Sequence, residues 1–214
     1  MNARALSDKA KSLSKELGVT PHFIINHYFF DAVLKRIAKS SYHSMFVLKG
    51  GYLLSIRLGI ITRTTNDLDF SIKSDNLDVG RITDSIKEIL SIDTDDGILL
   101  ELKNQTPIKE GNGIRFNVLA RLENIRQSIH IDIATNDLIT PGTLIDSYCT
   151  IVNKEQISLQ TYPYETILAE KLQTVVSLGT ASSRAKDLYD LFVIGKMSRR
   201  VLDNNDAKTA INHI

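Results

Sequence analysis

Two short segments, 66–72 (NDLDFSI) and 128–134 (SIHIDIA), alternate polar and apolar residues with the period of a strand. Side chains at i and i+2 of a strand share a face, roughly 6.5–7 Å apart along the chain. Asp67, Asp69 and Ser71 therefore fall on one face, and Leu68, Phe70 and Ile72 on the other. In the second segment Ile129, Ile131 and Ile133 oppose Ser128, His130, Asp132 and Ala134. One face of each strand can bury in a core while the other carries carboxylates. Like charges that close raise each other's pKa unless a cation neutralises them. Oxygen-only ligands favour Mg²⁺ or Mn²⁺, so the economical reading of Asp67 and Asp69 is a divalent metal site. If the two strands are neighbours, Asp132 completes a triad able to bridge two metals about 3.5–4 Å apart. The competing reading of Asp132 is a solvent-exposed edge strand. His130 is read as a neighbouring or packing residue, because nothing else suggests nitrogen ligands.

The apolar run Met45–Leu48 leads into the pair Gly50-Gly51. A helix starting at Gly51 or Tyr52 offers free backbone N–H groups and the positive end of its dipole to an anion. Glycine also lets a phosphate approach the backbone closely. Phosphate on backbone amides beside a carboxylate-held metal suits nucleotidyl or phosphoryl transfer. Thr64 and Thr65 precede the acidic strand, which places Thr65 near the phosphates. The bland alternative is a turn, a core helix and two solvated aspartates.

In 164–178 the residues Ile167, Leu168, Leu172, Val175 and Val176 recur at helical spacing. Lys171 falls inside that stripe, so its ammonium must snorkel out or meet an anion. Glu170 points off the stripe as a surface charge. A second helix, 183–195, is expected to bury Leu188, Leu191, Phe192 and Gly195, with Asp187 at the border and Arg184 three residues earlier.

Five blocks in order, FVLKGG, NDLDFSI, HIDIA, ETILAEKL and RAKDLYDLF, make the chain from about Phe46 to Phe192 resemble the AbiEii/AbiGii-type nucleotidyltransferase toxins. These belong to the DNA polymerase β-like nucleotidyltransferase superfamily. The resemblance implies a bacterial toxin–antitoxin (abortive infection, phage defence) enzyme that transfers a nucleotide from an NTP to an RNA acceptor, such as the 3′ end of tRNA. It fits Mg²⁺ or Mn²⁺ held by Asp67, Asp69 and Asp132 and nucleotide contacts from Gly50, Gly51 and Lys171; Thr65, by its loop position, and Arg184, beside Asp187, are the further candidate nucleotide contacts. It casts Lys171 as the phosphate-binding lysine and Asp187 as the aspartate of a catalytic KD block. A cognate antitoxin is the implied partner. The family often has a small hydroxylated residue after the Gly-Gly, where this chain has Tyr52. Relatives are often longer, with more C-terminal helix. Two other readings stay open: an antibiotic-type nucleotidyltransferase acting on a small molecule, and a non-catalytic nucleotide- or antitoxin-binding protein.

The expected fold class is α+β. An N-terminal helical region (1–44) precedes a nucleotidyltransferase core of mixed sheet with flanking helices (45–161) and a C-terminal helical region (162–214). Strands are expected near 45–48, 67–72, 98–103, 114–121, 128–134 and 156–160, with Asn112-Gly113 at a turn and a break at Pro141-Gly142. Helices are expected over 7–17, from Thr20-Pro21 to about Ala38, and from 78 to 90. The active site is expected in the cleft between the sheet and the C-terminal helices. A net charge of +1 leaves no global basic footprint for nucleic acid. The clusters Lys9/Lys11/Lys15, Lys35/Arg36/Lys39 and Lys196/Arg199/Arg200 read as solvated helix faces. No apolar run approaches a membrane span, and the charged N-terminus lacks a signal-peptide core. Cys149 is the single cysteine and is expected to be a small buried residue. These features place the chain in the cytoplasm.

Overall fold

The computed structural model describes residues 1–59, 65–72, 78–108, 113–135, 137–178, 185–201 and 204–213. Helix α1 (Ala3–Leu17) starts at Asn2, whose side chain accepts from Ala5 N–H, and stops at Gly18 with φ 68°. Helix α2 (Pro21–Lys39) has Thr20 as N-cap, accepting from Phe23 N–H, with proline in its first turn. Ile24, Phe29, Phe30, Val33, Leu34 and Ile37 of α2 are fully buried. An apolar surface on nearly every side is what a central core helix requires.

The elements that follow are β1 (Phe46–Lys49), α3 (Gly50–Leu58), β2 (Asp67–Ile72), α4 (Val79–Ser91), β3 (Leu99–Pro107), β4 (Gly113–Leu122) and β5 (Ile125–Thr135). After them come β6 (Leu144–Cys149), β7 (Gln156–Thr161), α5 (Tyr164–Leu178), α6 (Ala185–Val201) and α7 (Asn204–Asn212). Among the described residues the strands form one mixed sheet in the order β3-β4-β5-β2-β1-β7-β6. The α+β class with a mixed sheet and flanking helices is therefore as expected.

Two acid-bearing strands lie at the centre of that order. β2 pairs antiparallel with β1 and parallel with β5. β4 and β5 form a hairpin closed by a two-residue turn through Glu123, whose φ is 51°. Leu68, Phe70, Ile129, Ile131 and Ile133 are completely buried. Each such side chain contributes about 1.5–3 kcal/mol of burial, which pins the register and so the opposite, acidic face.

The chain divides into two compact units: Met1–Asn136 with Ile145–Gln160, and Asp137–Leu144 with Thr161–Ile214. In the second, Tyr162 is buried and donates its hydroxyl to Asp137 at 2.5 Å. Thr166 Oγ1 accepts from Thr140 N–H and donates to Thr140 C=O. Helix α5 contacts both α6 and α7.

Four local expectations are corrected. Strand β6 was not expected; its residues are mostly exposed, so no apolar alternation betrays it. Cys149, at its end, is exposed. Arg36 is not on a solvated face: it is 2 % exposed, forms a bidentate pair with Asp96 at 2.8 and 3.0 Å, and also donates to Ile98 C=O. The face that α6 buries is Asp190 and Ile194 with half-buried Asp187 and Leu191, whereas Leu188 and Phe192 are exposed, as is Val176 on α5. The Asn112-Gly113 turn falls partly outside the described residues. Among the described residues no helix is long and apolar enough to cross a membrane.

Candidate active site

The site begins with a register. β2 and β5 run parallel with Asp67 opposite His130 and Asp69 opposite Asp132. Paired residues of adjacent strands point to the same face, about 4.8 Å apart. Asp69 and Asp132 are therefore side by side, with Asp67 one pleat away on the same face. Asp132 lies on an interior strand, so the edge-strand reading does not hold. On the other flank β1 puts Lys49 opposite Asp69.

The glycine pair serves this face. Gly50 has φ 66°, the left-handed region that favours glycine, and it opens α3. A Cβ there would stand 2.0 Å from Asp69 Oδ2 and 2.6 Å from its carboxyl carbon. Gly51 N–H donates to the Asp69 carboxylate. The helix begins at Gly50, not at Gly51 or Tyr52, and the Gly51 amide in its first turn holds a carboxylate of the protein itself. Burial pushes the Asp69 carboxyl up to about 6, helped by the charges of Asp132 and Asp67 and opposed by Lys49 and the Gly51 amide.

The sequence reading missed Arg115. Its Nε and Nη2 donate to the two oxygens of Asp132 at 2.7 and 2.6 Å, and Nη2 lies 3.7 Å from Asp67 Oδ2. The hydrogen bonds to Asp132 hold this guanidinium firmly charged. Its signal was available only in pairing: Arg115 on β4 is the register partner of Asp132 on β5. Among the described residues no three His, Cys, Asp or Glu side chains are gathered tightly enough to hold a metal ion as they stand. The three carboxylates share a face, but Arg115 takes both oxygens of one.

Tyr52 does not aim at this face. Its ring is buried against Phe30, and its hydroxyl donates to Asp31 Oδ1 at 2.9 Å, as does Tyr148. Thr65 donates its hydroxyl to Asp67 C=O at 3.2 Å, and Asn26 Nδ2 lies 3.5 Å from Thr65 C=O. These bonds tie the start of β2 to α2.

In the second unit Lys171 meets its anion. It is 9 % exposed, and Nζ donates to Asp187 Oδ1 at 2.8 Å and to Asp190 Oδ2 at 2.6 Å. Snorkelling is thereby set aside. Asp190 was missed, although its i, i+3 spacing from Asp187 puts both on one helical face. Pairing a buried ammonium outranks burying Leu188 and Phe192, which explains the rotation of α6. Arg184 lies outside the described residues.

The comparisons agree with this architecture. The family described as "Nucleotidyl transferase AbiEii toxin, Type IV TA system" matches residues 32–213. Two solved structures from Helicobacter pylori share the fold. One is JHP933, 19 % identical, TM-score 0.55, covering 89 % of this chain and 73 % of that one. The other is a putative nucleotidyltransferase, 19 % identical, TM-score 0.55, covering 88 % and 75 %. A comparison with curated proteins finds no match. With its match spanning most of the chain, its mixed sheet and its acidic face beside a glycine-led helix, the chain belongs to the AbiEii nucleotidyltransferase toxin family.

Proposed function

We propose that this protein is a metal-dependent toxin that transfers a nucleotide from an NTP to an RNA acceptor, the 3′ end of tRNA, in the bacterial cytoplasm and under the control of a cognate antitoxin. The observation that carries the chemical part is the alignment of Asp69 with Asp132, beside Asp67, on one face of the sheet. The donor set suits Mg²⁺ or Mn²⁺: it is all oxygen, its three carboxylates share one strand face, and it already draws in a cationic group, Arg115. When bound, the metal supplies activation of the acceptor hydroxyl and neutralisation of the pyrophosphate leaving group.

The protein's own residues do the positioning. Asp67, Asp69 and Asp132 orient the reacting groups along the strand face. Gly50 lets the Asp69 carboxylate close on the start of α3, and the Gly51 amide fixes its rotamer. Thr65 holds the backbone of Asp67 in place. Lys171 is assigned to the nucleotide phosphates, with Asp187 and Asp190 holding its ammonium. Arg184 is assigned to the nucleotide from its place in the sequence, three residues before Asp187.

The test is incubation with each labelled NTP, Mg²⁺ and total bacterial RNA, followed by a denaturing gel. Label in the tRNA band, lost with EDTA and with Asp69→Asn, is the expected result. Label on no RNA, with any NTP, would overturn the assignment of an RNA acceptor.

A further inference from the structure

Arg115 sets a positive charge where a metal would have to approach the acidic face. Both oxygens of Asp132 accept from it, at 2.7 and 2.6 Å. A carboxylate held in this bidentate way offers a cation only its remaining lone pairs, beside a fixed positive charge. The guanidinium cannot shed its charge to make room. Beside an incoming divalent cation it is repelled, and its side chain, 38 % exposed, has solvent to swing into.

We propose that Arg115 is a counter-cation that the metal displaces from Asp132 and Asp67, and that the freed guanidinium then binds the phosphates of the incoming nucleotide. This rests on the metal-dependent reading above. The fork of donors that fits Asp132 fits a phosphate equally well. Metal alone, by repelling the guanidinium, leaves the arginine without an anion; metal with a triphosphate gives it a new one. The two ligands therefore bind cooperatively, each raising the affinity for the other by the same factor. The arginine keeps the acidic face neutralised until both are present.

The experiment measures two affinities on the full chain: Mn²⁺ alone, by electron paramagnetic resonance, and inorganic tripolyphosphate at saturating Mn²⁺, by calorimetry. For Arg115→Gln the expected result is Mn²⁺ binding tighter by about five- to tenfold and tripolyphosphate binding weaker by a similar factor. A residue of merely structural importance would weaken both. Arg115→Lys keeps the charge but cannot form the fork, so it should also bind Mn²⁺ more tightly while losing less tripolyphosphate affinity. It serves if the glutamine variant does not fold. Mn²⁺ affinity unchanged or reduced in the folded variant overturns the proposal, as does unchanged tripolyphosphate binding. Wild-type protein that binds no Mn²⁺ and transfers no nucleotide overturns the functional reading itself. Wild-type protein that does both, with a variant that binds Mn²⁺ no more tightly, overturns only the role of Arg115.

Discussion

The Asp69 carboxylate rests on Gly50, so close that a Cβ at residue 50 would stand 2.0 Å from Asp69 Oδ2. The glycine is needed twice, for its φ of 66° and for that contact. Gly50→Ala should cost about 1–2 kcal/mol from backbone strain alone. It should also displace Asp69 and cut nucleotide transfer on the order of 100-fold. Gly18→Ala is the control: φ is 68° but the space is open. It should lower the melting temperature and leave transfer intact. Equal transfer by the two variants would show that the Gly50–Asp69 contact has no part in the reaction.

Removing charge from the acidic face should separate activity from stability. Asp67→Asn and Asp69→Asn should each lower transfer at least on the order of 10²–10³-fold, as loss of an aimed electrostatic group does. Neither should lower the melting temperature in EDTA, because each relieves repulsion among the carboxylates. Near-wild-type transfer with added Mg²⁺ would remove that residue from the metal set.

Asp31 gives a pH signature away from that face. Burial pushes its carboxyl up to about 7, against the hydrogen bonds from Tyr52 and Tyr148. The unfolded chain ionises near about 4, so the folded state holds a proton that the unfolded state releases. Stability contributed by this group is therefore intact below about pH 4, falls between about 4 and 7, and stays low above, by on the order of a few kcal/mol in all. Asp31→Asn should flatten that fall and melt higher than wild type at pH 8. Parallel melting curves for the two from pH 5 to 8 would show that Asp31 ionises normally.

Lys171 is held by two carboxylates at 2.8 and 2.6 Å, with only 11 % of its side chain exposed. Lys171→Met removes the cation that Asp187 and Asp190 share and should destabilise by about 3–5 kcal/mol. Adding Asp190→Asn should restore much of the stability but not the transfer. Restored transfer in the double variant would make Lys171 a purely structural residue.

Strands β2 and β5 were legible because their isoleucines, leucine and phenylalanine alternate with polar or small residues, Asp67, Asp69 and Asp132 among them. The N-caps Thr20 and Asn2 and the stop at Gly18 act within a few residues; of these, the Thr20-Pro21 start could be read directly. Strand β6 was not legible, since an exposed edge strand has no buried face to pattern. The apolar face assigned to α6 was misjudged for a different reason. Leu188 and Phe192 look like core by spacing, but the buried charge of Lys171 turns the helix toward Asp187 and Asp190.

By itself the sequence determined which residues are acidic, which strand face they share, and where glycine permits a close approach. These follow from local periodicity and covalent structure. Tertiary structure alone decided that Asp132 stands beside Asp69, that Arg115 takes both oxygens of Asp132, and that Tyr52 turns inward to Asp31. Each of these depends on which strands and helices become neighbours. That choice is made by the collective burial of apolar faces far apart in the chain, and no local pattern encodes it.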